Sequence, residues 1–145
     1  MEKDKEMLQW NAVVRWLPII CLCVIATGCG SGFNRPKMAK VIGRVTFKGL
    51  PLNHGEITFL SADNRPAHGK IIAGQITEVM TFEPDDGAPI GPCKVAISAL
   101  ENPNADMYTP SKSLLPAKYA NPETSGLTAD LKPGENDVNF ELTEE

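Results

Sequence analysis

From Val41 onward the chain alternates. Val41, Val45 and Phe47 share one parity and Ile42, Arg44, Thr46 and Lys48 the other, the period of a half-buried strand. Lys48-Gly49-Leu50-Pro51 is turn chemistry, and Glu56-Ile57-Thr58-Phe59 predicts a returning strand, so the two read as a hairpin. Ser61 to Pro66 is a polar break. Lys70–Ile72 and Ile76–Phe82 predict a third and fourth strand around Gly74. The facing of the fourth stays open, because Glu78 shares the parity of Ile76 and Met80. Past the loop Glu83-Pro84-Asp85-Asp86-Gly87, Lys94–Leu100 predicts a central strand with Val95 and Ile97 on one side; Pro92 suits only its start. A long irregular segment follows, Glu101 to Thr124, with Pro103, Pro110, Pro116 and Pro122. Gly126–Leu131 and Asp137–Leu142 predict the last two strands, with Val138, Phe140 and Leu142 facing in. Between them Pro133-Gly134 suits the centre of a type II turn. Seven short strands and no long helix predict an all-β, Ig-like β-sandwich.

The amino end has a different pattern. Met1 to Arg15 is polar, Trp16 to Ala26 is uncharged and apolar, and Ala26, Thr27 and Gly28 lead into Cys29. That order is a secretory signal. The apolar run is shorter than the roughly 20 residues a helix needs to span a bilayer, and Pro18 would interrupt it. A cysteine directly after small residues resembles the bacterial lipoprotein signal. The resemblance implies a signal peptide over 1–28, cleavage before Cys29, acylation of Cys29, a tether over 29–39 and a domain over 40–145. It further implies that the partner of Cys29 is a lipid bilayer, where two or more acyl chains hold stably. Gly30, standing where Asp would retain the protein, resembles the signal for outer-membrane sorting.

The segment to be removed is neutral, so the net charge of −4 stays with the domain. No basic patch points to nucleic acid. Cys21 and Cys23 leave with the signal and Cys29 takes lipid, so Cys93 is alone and no intramolecular disulfide is expected. A lone thiol outside the cytoplasm is either reactive or a small buried hydrophobe; alternation with Val95 and Ile97 favours burial.

The run Val41-x-Gly43-x-Val45-x-Phe47-x-Gly49-x-Pro51-Leu52, then Gly55-x-Ile57-x-Phe59, resembles the opening of carboxypeptidase-regulatory-like, transthyretin-like domains. Leu115-Pro116-Ala117-Lys118-Tyr119, Thr124-Ser125-Gly126-Leu127-Thr128 and Asn136-x-x-x-Phe140-x-Leu142 are similar to short bacterial lipoproteins of that group. The resemblance spans Lys40 to Leu142 and implies a transthyretin-like sandwich. Its motifs are mostly core and turn positions, so they address fold more than activity.

Catalytic constellations are missing from the sequence. There is no Gly-x-Ser-x-Gly elbow. One transthyretin-related branch of hydrolases ends in Tyr-Arg-Gly-Ser, whereas this chain ends Phe140-Glu141-Leu142-Thr143-Glu144-Glu145. His54, His68 and Cys93 do not have zinc spacing. Glu83, Asp85 and Asp86 offer oxygen ligands for calcium in no EF-hand pattern, and read as solvated turn residues. No catalytic residue, metal or cofactor is expected. The binding candidate is the stretch Asn102 to Asn121, which holds Tyr108, Lys112, Lys118 and Tyr119 beside Leu114-Leu115. A loop this long either binds a partner or covers an open edge of the sandwich. The expected role is a non-catalytic, membrane-anchored envelope lipoprotein, a structural or protein-interaction module. The alternatives are a carbohydrate-binding module and a subunit joined to an envelope assembly by strand addition.

Overall fold

The computed structural model describes residues 35–62, 65–103 and 111–144. The signal segment, Cys29 and Tyr108 lie outside the described residues. The strands are β1 (Met38–Phe47), β2 (Leu50–Pro51), β3 (His54–Ser61), β4 (Ala67–Ile72), β5 (Gln75–Met80), β6 (Ala88–Pro89), β7 (Gly91–Ser98), β8 (Leu127–Leu131) and β9 (Glu135–Leu142). β2 and β6 are two-residue pieces, and the other seven are the seven predicted strands. The fold is all-β and sandwich-like, as the alternation predicts. Its helical content among the described residues is a single 3-10 turn, Ala117–Ala120.

The ladder runs β9-β1-β5-β4-β3-β7-β8, antiparallel throughout except for β1 and β9, which pair in parallel from Lys40↔Glu135 to Phe47↔Leu142. β8 and β9 stand at opposite ends of this order, yet residues 132–134 join them directly. The sheet is therefore curled onto itself, and Val45, Ile57, Phe59, Ile71, Val95, Ile97, Leu131 and Leu142 fill the space between its two halves.

Two tight turns have the backbone that twisted hairpins require. Lys48 and Gly49 take φ of 53 and 77, and Ala73 and Gly74 take 50 and 80. Positive φ at both central residues matches the right-handed twist of the flanking strands. The first turn, however, does not build the predicted hairpin. Of the returning chain only Leu50–Pro51 is paired with β1 as a strand, and β3 lies between β4 and β7 instead. The Leu52 N–H still donates to the Val45 carbonyl at 3.0 Å, but the Val45 N–H donates to the Gly74 carbonyl at 2.8 Å, so the 73–74 turn takes the β1 edge from there and the returning chain leaves it. The open facing of the fourth strand has a local cause. Glu78 takes φ 52 at a register shift between His68 and Lys70, a bulge that adds one residue to β5. Ile76 and Val79 are both buried as a result, and Glu78 turns outward to Lys70 at 2.6 Å.

The packed domain starts inside the stretch read as tether. Arg35 pairs with Glu83 at 2.6 Å and lies 5.5 Å from the centroid of the Phe82 ring, with Arg65 at 6.0 Å. Met38 and Ala39 pair with β6. These contacts, with residues 62, 65–66, 82–87 and 132–134, form one end of the sandwich, called here the Arg35 end. The far end carries the 48–49 and 73–74 turns, residues 99–103 and 111–114, and the carboxyl end of β9.

Candidate functional site

Within the Glu101–Thr124 segment, the described residues are tied down rather than irregular. Leu100 bridges Ser113, the Glu101 N–H donates to the Lys112 carbonyl at 2.8 Å, and the Leu114 N–H donates to the Ala99 carbonyl at 2.9 Å. The segment leaves β7 and returns as a two-stranded arm. Further on, the buried Ser125 hydroxyl donates to the Val95 carbonyl and accepts the Leu127 N–H at 3.1 Å.

Tyr119 is 4 % exposed and belongs to the core. Its phenolic oxygen accepts the Thr143 N–H at 3.0 Å and lies 3.3 Å from the Thr143 hydroxyl. Burial pushes the phenol's pKa up, but the Thr143 bonds and the Lys118 ammonium, 4.9 Å from the ring centroid, bring it below the ordinary value. Lys112 is exposed on the arm and Lys118 is half-buried. The structure thus joins Lys118 to Tyr119, and Tyr119 fastens the segment to Thr143, just past the end of β9. Of the adjacent leucines, Leu115 is buried and Leu114 is 40 % exposed.

Cys93 is buried, with its thiol directed at the Gly91 and Pro89 carbonyls. Burial, then the Asp130 carboxylate, push the thiol pKa up, which keeps it protonated and weakly nucleophilic. The acidic loop is likewise occupied by structure. Asp86 accepts the N–H groups of Thr81, Phe82 and Glu83 at 2.6, 3.0 and 3.1 Å, and Glu83 is paired with Arg35.

These bonds set a pH dependence. Partial burial raises the Asp86 pKa, the amide hydrogen bonds lower it further, and the net value falls below 3.8. A depressed folded pKa gives stability that is present above the unfolded pKa and lost as pH falls through the folded one. Asp86→Asn should cost about 1 kcal/mol at pH 7. The gap to wild type should close as pH drops below about 4. Melts of both proteins at neutral and acid pH check this; a gap that stays constant would show that the charge of Asp86 is not used.

The exposed apolar surface is elsewhere. Leu50 is 71 %, Ile72 53 %, Leu100 42 % and Leu114 40 % exposed. These are four of the five large exposed hydrophobics among the described residues, and all four lie at the far end; Met80 is the fifth. They are built next to one another. Ala73 and Gly74 donate to the Asn53 and Leu52 carbonyls at 2.8 Å each, which joins the Leu50 turn to the Ile72 turn. His54 pairs with Ile72, and its Nε2 donates to the Leu100 carbonyl at 2.6 Å. A cleft of about 370 Å³ opens here, lined by His54, Ile72, Ala99, Leu100 and Pro103, with Lys70 on its polar wall. The sequence holds a partial signal for this surface: strict alternation puts one of Ile71 and Ile72 outside. No protein-family model, curated protein or solved structure matches this chain.

Proposed function

We propose that this chain is a non-catalytic lipoprotein of a bacterial cell envelope, anchored through acylated Cys29, whose transthyretin-like domain serves as a protein-interaction module. The observation that carries the reading is the gathering of Leu50, Ile72, Leu100 and Leu114 at the end opposite Arg35. Exposed large apolar residues gathered at one end support an interaction surface there, and Arg35 is where the domain joins the segment leading to the anchor. The signal layout ahead of Cys29 supports export, and Gly30 supports the outer membrane. Replacement of Cys29 with Ser, followed by fractionation of the cells, tests the anchor. The variant should leave the membrane fraction, whereas full retention would overturn acylation as the means of attachment.

A second reading, assembly by strand addition, is favoured by one feature. β8 pairs with β7 alone among the described residues, so its other edge offers backbone groups to an incoming strand.

A further inference from the structure

We infer that the open edge of β8 joins a second copy of this chain, antiparallel and centred on Ala129, so that two domains share one continuous sheet. The inference rests on the strand-addition reading and adds in which register the strand pairs and with what.

A proline sets the phase of β8. Pro92 stands opposite Asp130 in the β7–β8 ladder and has no N–H to give. That position is therefore not hydrogen-bonded, and the N–H and carbonyl of Asp130 point away from β7. Thr128, two residues earlier and opposite Lys94, has the same phase. Beyond Asp130 the edge closes, because the Asn136 side chain accepts the Lys132 N–H and donates to the Lys132 carbonyl, at 2.8 Å each. The backbone groups that β8 offers are thus the N–H and carbonyl of Thr128 and of Asp130, and among the described residues no other strand lies against them.

A second β8 matches this edge position by position. With the two-fold axis at Ala129, each Thr128 exchanges both backbone bonds with Asp130 of the other copy, so all these groups are satisfied on both chains. The two Ala129 residues meet at the closely spaced position, where a small side chain fits. On the core side the half-buried Leu127 faces Leu131 of the other copy, apolar against apolar. On the outer side Thr128 faces Asp130, whose carboxylate is paired with Lys132 at 2.5 Å, so no like charges oppose each other. The edge of β9 fails the same test. Antiparallel self-pairing about Val138 sets Glu135 directly against Glu141 of the other copy, a repulsion that occurs twice by symmetry. Charge therefore assigns the second copy to β8. Five residues a side make a contact smaller than that of a stable dimer, so the pair should come apart on dilution.

The test uses the full chain in detergent, sedimented over a dilution series. Wild type should pass from dimer to monomer. Thr128→Asp, which sets carboxylate against carboxylate at both ends of the pair, should weaken the dimer about tenfold, and Thr128→Lys should strengthen it several-fold. Thr128 is exposed, so melts within a few degrees of wild type show that the fold is intact. A Thr128→Cys form mixed with an Asp130→Cys form should give a disulfide-linked dimer on mild oxidation, because opposed hydrogen-bonded residues stand about 5.5 Å apart, a span that a disulfide bridges. Either form alone should give no more than wild type. A chain monomeric at every concentration, the same response to Asp and Lys, or equal cross-linking with and without mixing would overturn the inference. A photo-crosslinking residue at position 128 in the native envelope separates it from the broader reading. An adduct with a second copy supports both, one with a different protein refutes the second copy and keeps strand addition, and no adduct refutes both.

Discussion

Replacing Gly43 with alanine is expected to destabilise the domain by about 3 kcal/mol or more, which lowers the melting temperature by about 12 °C in a domain of this size. Gly43 sits mid-strand in β1 with φ +150, opposite Val138 of β9. A Cβ built there would stand 1.8 Å from the Val138 carbonyl oxygen and 2.7 Å from its carbon. Both obstacles are backbone, so no rotamer change relieves them. Either β1 abandons a conformation that only glycine adopts easily, or β9 peels away and uncovers Phe140 and Leu142. Gly49→Ala is the matched control. Gly49 also has positive φ, at +77, but nothing lies within 4 Å of its would-be Cβ. That change should cost only the left-handed backbone penalty, about 1 kcal/mol. Denaturant melts of the two variants decide the matter. A Gly43→Ala loss no larger than that of Gly49→Ala would mean that β1 and β9 are not paired in parallel at this register.

The second large effect is at Tyr119. Tyr119→Ala should cost about 3–4 kcal/mol, because it removes a buried aromatic ring and leaves a hole between the 3-10 turn and the sheet. Tyr119→Phe should cost about 1 kcal/mol, since the ring stays and only the bonds with Thr143 are lost. Thr143 is exposed, so water can replace the phenol as acceptor. The contrast has a practical consequence. A binding assay on Tyr119→Ala reads unfolding of the segment, whereas Tyr119→Phe leaves the fold in place. Near-equal melting of both variants with wild type would remove Tyr119 from the core and return it to the surface as a binding residue.

Much of the strand framework is legible in the chain because alternation is a local signal. Val95 and Ile97 in β7, and Phe140 and Leu142 in β9, are buried as their parity requires. The ambiguity at Glu78 was equally informative: a charged residue at an apolar parity marks the bulge that restores Val79 to the interior. Leu114-Leu115 and Tyr119 were less decisive, because an apolar or aromatic residue in a proline-rich segment can pack or bind with the same local sequence. For Tyr119 and Leu115 the outcome was burial, set by where β7 and β9 lie. Alternation requires one of Ile71 and Ile72 to face outward but does not say which, and the exposed Leu50, Leu100 and Leu114 at the same end come from distant parts of the chain.

The sequence by itself determined the all-β class, the seven strands, the tight turns that need positive φ, and the burial of Cys93. Each follows from spacing or backbone chemistry within a few residues. Only the tertiary structure decided that β9 pairs in parallel with β1, that β3 leaves β1 for β4 and β7, and that four exposed hydrophobics share one end. Those outcomes depend on which distant segments meet, and a period of two states which face a residue takes but not which strand lies beside it.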